Sequence, residues 1–505
     1  MRPRRPSERG PRPDLAGSDV RFRHLATAVE GVRVRSAGPD RDPEIAAVVH
    51  DTRAVVDDAL FCCVRGSRAD GHDLAPGAVD AGAAALLVDH ELPLDVPQLV
   101  VDDVRAALGP VAAAYWGHPS RHLTVIGITG TAGKTTMTHL LAAIFAAAGR
   151  PCGVIGTLSG ARTTPEAPEL QALLAEHRRR GDTAVAMEVS SHGLELGRVA
   201  ATRFAAGVFT NLSQDHLDFH GTMDDYFAAK ARLFEPTATD RAVVCVDDDW
   251  GRRLAADVRA RGSVTVTPYG LDDAGDLRLS PAGASFTWRG ETVSLGLAGR
   301  FNVRNAVGAA TTAAVLGLAP EVIARGLSAA APVPGRFEAV DAGQPFTAIV
   351  DYSHKPDALD QALRAARELV TGEGELTVVF GCGGDRDVAK RPLMGRVAAE
   401  LADHVVLTSD NPRSEDPLAI IAAIRAGAPA DAPVLVEPDR RRAIASAVAA
   451  ARPGGVVLVA GKGHETTQVI GDVTVPFDDR VVTREALATR TSTGGSPAAE
   501  PTKGN

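Results

Sequence analysis

Lysine is scarce in this chain: it occupies six of 505 positions (Lys134, Lys230, Lys355, Lys390, Lys462 and Lys503), leaving 48 of the 54 basic residues as arginine. Wherever any cation serves, the sequence uses arginine, so each internal lysine is a candidate for work that needs a compact ammonium or a deprotonatable amine. Aromatic residues are also few, at 4%, and no apolar run is long enough to span a bilayer, so a membrane protein is excluded. There is no surplus of positive charge either. A formal net charge of -9 argues against broad nucleic-acid binding, which needs a basic face, and anions must be met by local sites. The five cysteines (Cys62, Cys63, Cys152, Cys245, Cys382) are odd in number and show no metal-type pairing, which reads as reduced thiols and a cytoplasmic protein. The Arg- and Pro-rich start, Met1 to Asp14, is followed by no apolar segment, so it reads as part of a disordered leader (1–20) and not as a signal peptide. What is present is a soluble globular composition, 45% hydrophobic and rich in Ala and Gly, long enough for about three domains.

The most informative stretch runs from Leu123 to Thr136, Leu-Thr-Val-Ile-Gly-Ile-Thr-Gly-Thr-Ala-Gly-Lys-Thr-Thr. An apolar run meets a glycine-punctuated turn, and Met137 to Ala148 then carries apolar residues at helical spacing, which predicts strand, phosphate loop and helix. Gly130 and Gly133 allow backbone N–H groups to close on phosphate oxygens. The helix N-terminus adds positive potential, Lys134 can reach the outer phosphates, and Thr135 can hold Mg²⁺. Thr131, Ala132 and Thr136 complete the loop, in the short Gly-x-x-Gly-Lys-Thr-Thr form, and ATP is its natural ligand.

Before the loop, short apolar stretches between Ala46 and Asp102 alternate with turns, among them His50-Asp51-Thr52-Arg53 and Asp70-Gly71-His72; this predicts a small α/β module over 21–118. Behind the loop, the apolar run Thr183 to Val189 predicts a strand covered on both faces that ends at Glu188, and Ala206 to Thr210 delivers His216 to the same sheet edge. Lys230 falls on a helical segment with apolar neighbours. Val333-Pro334-Gly335-Arg336 breaks the pattern, so a central domain is expected over 119–333. Beyond it, apolar runs at Ala348 to Val350, Leu376 to Phe380, Val405 to Leu407 and Val456 to Ala460 each stop in a polar cluster. These predict a Rossmann-like parallel sheet over 334–487 with one site at its strand ends. From Ala488, Thr, Ser, Gly and Pro take over, and a disordered tail (488–505) is expected.

With these blocks assembled, the sequence resembles the Mur ligase family of ATP-dependent amide ligases, over about Val48 to Leu487. The resemblance rests on Thr129 to Thr136, Met187 to His192, Thr210 to Phe234, Gly381 to Leu393, Asp410-Asn411-Pro412-Arg413 and Gly461-Lys462-Gly463-His464-Glu465. It implies an α/β protein of three domains: one for a uridine nucleotide-sugar, a central ATPase, and a Rossmann-like domain that brings the incoming amino acid. It implies a reaction in which ATP phosphorylates the free carboxylate of a UDP-MurNAc-dipeptide and the amine of meso-diaminopimelate then attacks, in cytoplasmic peptidoglycan precursor synthesis by an expected monomer. By resemblance, Lys134 is catalytic, Glu188 and His216 bind metal with Thr135, and Lys230 takes up CO₂ as a carbamate that supports a second Mg²⁺. Asn302 and Asn305 match nucleotide contacts. Thr52, Thr163, Thr164, Ser190 and Arg198 match contacts to the UDP-sugar peptide, and Arg386, Asp410, Asn411, Pro412, Arg413, Gly461 and Glu465 match the diaminopimelate pocket. The family usually has Gln where Leu196 stands and Asn where Arg162 stands. A ligase joining another carboxylate and amine, and a paralogue that binds precursor without turnover, are the alternative readings.

Overall fold

The computed structural model of the chain describes residues 20–35, 41–66 and 69–493. It forms two compact units, one comprising the chain up to Tyr269 together with Thr311–Leu318, the other Gly270–Ala310 with the chain from Ala319 onward. The boundary expected near Val333 to Arg336 falls within the second unit.

The first unit contains two sheets. One joins Ala47–Val49, Ala59–Cys62, Ala83–Val88 and Gln98–Val100 in parallel, and an antiparallel Arg33–Arg35 closes its edge. His72, 6% exposed, is a structural residue of this module. Its Nδ1 lies 2.6 Å from Asp70 Oδ1, and its Nε2 accepts the Asp89 backbone N–H at 3.2 Å.

The second sheet has six parallel strands in the order Thr265–Tyr269, Arg241–Cys245, Ala206–Phe209, Thr124–Thr129, Ala184–Glu188, Cys152–Ile155. Every residue of Ala184–Glu188 and of Ala206–Phe209 is buried, as continuous apolar runs demand of strands covered on both faces. The first strand in sequence, Thr124–Thr129, lies between the third and the fourth. The chain therefore reverses direction across the sheet at Thr129, and that switch point opens a crevice beyond the strand ends carrying the phosphate loop, Glu188 and Thr210.

The second unit begins with an antiparallel three-stranded sheet, Gly275–Ser280, Gly283–Trp288 and Glu291–Leu295, which the sequence reading did not foresee. Its strands are half-buried, with Phe286, Trp288 and Val293 inward and polar residues between, so no continuous apolar run advertises them. The larger sheet runs Glu338–Ala339, Thr347–Asp351, Val456–Ala460, Leu376–Phe380, His404–Leu407, Val434–Val436, parallel apart from the first pair. Val456–Ala460, the last of these strands in sequence, lies between two earlier ones and is wholly buried. All four expected polar clusters thus leave the same edge of this sheet.

The expected leader lies, except for Val20, outside the described residues, as does the tail beyond 493. The expectation of disorder from 488 is corrected: the helix Asp479–Thr493 continues through it. Tertiary contact overrides the Thr-rich composition here, because Arg490 donates to the Val448 and Ala449 carbonyls and stacks 4.9 Å over the Phe346 ring.

Candidate active site

The phosphate loop needs glycine where it turns. Gly130 has φ +148°, and a Cβ there would stand 1.9 Å from Thr210 Oγ1; Gly133, at φ +86°, caps the helix Lys134–Ala147. Asn211, from the neighbouring strand end, shapes the loop: its backbone carbonyl accepts from Thr131 N at 3.0 Å and its Oδ1 from Ala132 N at 3.0 Å. Thr210 Oγ1 donates to the Ala132 carbonyl at 2.7 Å. Lys134 Nζ donates to the Gly130 and Thr131 carbonyls at 2.9 and 3.0 Å, which holds its ammonium over the loop, where phosphate charge would be neutralised.

Glu188 is 2% exposed at the end of its strand. Its carboxylate accepts from Thr135 Oγ1 at 3.0 Å, Thr157 N at 2.8 Å and Thr157 Oγ1 at 3.3 Å. Lys230, 1% exposed, donates to the Gly130 carbonyl at 2.9 Å and lies 4.5 Å above the Tyr226 ring. The Tyr226 hydroxyl lies 3.2 Å from Thr131 Oγ1, and burial pushes this phenol well above its usual range. The His216 ring is 6.2 Å from that of Tyr226 and packs edge-on to His192 at 4.7 Å, with its Nε2 3.3 Å from Asp215 Oδ2. Tyr226 thus has Thr131 of the loop, Lys230 and His216 around it. Thr135 and Glu188, 3.0 Å apart, offer a hydroxyl and a buried carboxylate, oxygen donors of the kind a hard divalent cation takes.

Alongside, Thr164 Oγ1 donates to the Glu188 carbonyl at 2.9 Å, accepts from Ser190 N at 2.9 Å and lies 3.1 Å from Ser190 Oγ. Arg198 NH1 reaches the Thr164 carbonyl at 3.1 Å, and its NH2 pairs with Glu166 at 2.9 Å. Thr163 Oγ1 touches Thr157 Oγ1 at 3.1 Å. Four of the five expected UDP-sugar residues therefore form one hydrogen-bonded group behind Glu188, while Thr52 stands on the turn Thr52–Ala54 of the N-terminal sheet. Arg162 is exposed and pairs with Glu166 at 3.2 Å, and Leu196 caps the helix Ser191–Glu195.

In the second unit, Asn302 and Asn305 are 0% and 4% exposed on the helix Arg300–Val315; Asn302 Nδ2 donates to the Ala298 carbonyl, and its buried Oδ1 has no partner among the described residues. The Asp410–Arg413 turn is held by the hairpin Thr467–Ile470 and Val473–Pro476. Gln468 Nε2 donates to the Asp410 carbonyl at 2.7 Å, Val469 N to Asn411 Oδ1 at 3.0 Å, and Arg413 N to the Val469 carbonyl at 3.1 Å. Arg413 adopts φ +51°, with NH1 on the Gly384 carbonyl at 2.7 Å. Asn411 Nδ2 and Lys462 Nζ both donate to Glu465 Oε2, at 2.8 and 3.0 Å. Asp410 is pushed up by burial, against the pull of the Arg440 and Lys462 charges. Arg386 is exposed on the loop after Phe380, and Pro412 and Gly461 are buried.

Three family descriptions match in succession: Mur ligase family, catalytic domain over 44–116; Mur ligase middle domain over 128–313; and Mur ligase, glutamate ligase domain over 335–463. The chain is 48% identical, over 480 residues covering 89% of it and 94% of the relative, to the UDP-N-acetylmuramoyl-L-alanyl-D-glutamate--2,6-diaminopimelate ligase of Streptomyces coelicolor. The chain belongs to the Mur ligase family. A solved structure of a ligase of the same name matches with a TM-score of 0.65 and 34% identity, covering 89% of this chain and 96% of that one. A MurF ligase from Thermotoga maritima, in complex with ADP, shares the fold at a TM-score of 0.60 and 19% identity, covering 88% of this chain and 97% of that one.

Sequence reasoning about this Mur ligase missed Asn211 and Gly156, and it left Lys462 a candidate without a stated role. Lys462 had a signal, since it is one of the rare lysines; its side chain is wholly buried between Asn411 and Glu465. A Cβ on Gly156 would lie 2.3 Å from Glu188 Oε1 and 2.8 Å from its Cδ and Cγ, so in Gly156→Ala the carboxylate must shift. The expected result is an unchanged circular dichroism spectrum with kcat lowered about 100-fold, as a displacement of about an ångström produces; a kcat near wild type would show that Glu188 does not need this position.

His354 supplies a pH dependence. Its own desolvation, then the Lys355 and Lys390 ammonium groups, push it down to about 3, and Lys390 Nζ donates to its carbonyl at 2.8 Å. The unfolded chain therefore binds a proton that the folded chain refuses between pH 6.5 and about 3. Stability is full above pH 6.5 and falls as the pH drops through that window, by up to about 1.4 kcal/mol per unit. Urea denaturation at pH 7 and pH 5 should show a smaller loss in His354→Asn than in the unmodified protein; equal losses would exclude His354 as the source.

Proposed function

We propose that this chain is an ATP-dependent ligase that joins meso-2,6-diaminopimelate to the free carboxylate of UDP-MurNAc-L-Ala-D-Glu. The observation that carries the reading is the second strand-end cluster, where Asn411, Lys462 and Glu465 form one hydrogen-bonded group and the hairpin holds Asp410 and Arg413 by their backbone, an arrangement able to meet an amino acid with charges at both ends. The name and 48% identity of the Streptomyces coelicolor relative support it.

In this reading Lys134 and the helix N-terminus behind it hold the ATP phosphates, and Asn302 and Asn305 contact the nucleotide. Thr135, Glu188 and His216 would hold Mg²⁺, with Lys230 as its carbamate supporting a second ion; these cations neutralise charge on the phosphoryl group when bound. Thr52, Thr163, Thr164, Ser190 and Arg198 bind the UDP-sugar peptide. A carboxylate oxygen of the dipeptide attacks the γ-phosphorus, ADP leaves, the diaminopimelate amine attacks the acyl carbon, and inorganic phosphate departs. Lys134 works by charge and position, since phosphoryl transfer demands mainly those. Arg386, Asp410, Asn411, Pro412, Arg413, Gly461 and Glu465 form the amino-acid pocket. The three segments 21–118, 119–333 and 334–487 serve the nucleotide-sugar, ATP and amino acid in turn, in a cytoplasmic monomer. No helix among the described residues is long and apolar enough to cross a membrane.

Phosphate release measured with ATP and Mg²⁺ should require both UDP-MurNAc-dipeptide and diaminopimelate. Release with another carboxylate–amine pair instead would assign a different ligase, and tight precursor binding without release would assign a binding protein.

A further inference from the structure

Arg440 opens the helix Arg440–Ala450, and its guanidinium is wholly inaccessible to solvent. It makes a bidentate pair with Asp479, Nε to Oδ1 at 2.8 Å and NH2 to Oδ2 at 2.7 Å, at the start of the helix Asp479–Thr493. The same guanidinium donates to two backbone carbonyls, NH2 to Ala460 at 2.9 Å and NH1 to Ser409 at 3.3 Å. Ser409 immediately precedes Asp410, and Ala460 immediately precedes Gly461. The strands that lead into them, His404–Leu407 and Val456–Ala460, are not neighbours, because Leu376–Phe380 lies between them.

We propose that Arg440 is a positioning residue for the amino-acid pocket, a clamp that fixes the Asp410–Arg413 turn against the Gly461–Glu465 loop; this rests on the reading of those clusters as the diaminopimelate site. The spacing it fixes is tight, since a Cβ on Gly461 would lie 2.7 Å from Asp410 Oδ2. An ion pair is not needed merely to fill the interior. Replacing such a pair with apolar residues of similar volume commonly leaves a fold as stable or more so. What the guanidinium supplies and no apolar residue can is a rigid fork with donors left over for both carbonyls. The Asp479 carboxylate orients that fork, and the C-terminal helix is thereby coupled to the pocket.

The test uses the full-length protein and separates the clamp from the fold. Arg440→Lys keeps the charge but cannot span four acceptors, and Arg440→Met/Asp479→Leu removes the pair together, so that no buried charge is stranded. With both variants folded by circular dichroism, KM for diaminopimelate is expected to rise roughly 10- to 100-fold, as for a small misplacement of binding groups, with KM for ATP unchanged within about twofold. Asp479→Asn should shift the same constant in the same direction by less. A folded double variant with an unchanged KM for diaminopimelate would overturn the clamp while leaving the pocket assignment intact, and so would equal rises in all the KM values. If the unmodified protein released no phosphate in response to diaminopimelate, the pocket assignment would fall, and the clamp with it.

Discussion

Lys230→Ala is expected to lower turnover by about 100- to 1,000-fold, the scale on which removing one group that stabilises transition-state charge is felt. The side chain is 1% exposed, its ammonium lies 4.5 Å over the Tyr226 ring, and it donates to the Gly130 carbonyl of the phosphate loop at 2.9 Å. Two roles fit that place, and they predict different results. If Lys230 only braces the loop, a cation of another shape should partly replace it, and Lys230→Arg would retain measurable activity. If it works as a carbamate, the neutral amine must attack CO₂, forming an N–C bond and releasing a proton, to give a carboxylate. A guanidinium does not do this, so Lys230→Arg should fail as completely as Lys230→Ala. Short carboxylates added to Lys230→Ala should then restore part of the activity, and ¹³C-bicarbonate should give the unmodified protein a carbamate resonance that both variants lack. Wild-type turnover by Lys230→Ala would sink either role.

The parts of this molecule that could be read from sequence are those where one residue's neighbours in the chain are also its determinants. The strands Ala184–Glu188 and Val456–Ala460 announce themselves because both faces are covered, which forces continuous apolarity. The residues at the ends of such strands, Glu188 and Gly461 among them, inherit a place at the sheet edge. Arginine bias made Lys134 and Lys230 conspicuous, and both prove to touch the same carbonyl, that of Gly130. The rest depended on pairs distant in the chain. Arg440 and Asp479 are 39 positions apart, each at the start of its own helix, with nothing in the local sequence to join them. Asn211 shapes a loop 79 residues before it, and Gly156 matters only because Glu188 packs against its bare Cα. The hairpin that holds the Asp410–Arg413 turn has half-exposed strands, and the Gly275–Leu295 sheet alternates polar with apolar, so neither leaves a strong local signal. In the terminal helix, contacts of Arg490 with another helix decided what composition alone read as disorder.

Diaminopimelate is expected to be used in strong preference to L-lysine, and Arg413 is expected to be the reason. The two amino acids share an α-amino-acid end and a distal ammonium; only diaminopimelate carries a carboxylate beside that ammonium. Arg413 is fixed from two sides, by the hairpin through its backbone and by the Gly384 carbonyl through NH1 at 2.7 Å, so its remaining N–H donors are presented in one orientation. A carboxylate matches that fork bidentately. Glu465, whose Oε2 is already steadied by Asn411 and Lys462, is the expected acceptor for the ammonium. With lysine bound, the guanidinium loses water without gaining a partner. Stranding one member of a desolvated pair costs about 2 to 5 kcal/mol, and since Arg413 is only half-buried the lower part of that range, about 2 to 3 kcal/mol, applies. At 1.4 kcal/mol per decade this is roughly a 30- to 140-fold preference in kcat/KM. Arg413→Ala should therefore lose most of the activity with diaminopimelate while leaving the low rate with lysine almost unchanged, which collapses the ratio between the two substrates toward one. Comparable kcat/KM for the two amino acids in the unmodified protein, or a ratio that survives Arg413→Ala, would mean that the distal carboxylate is read by another residue or not at all.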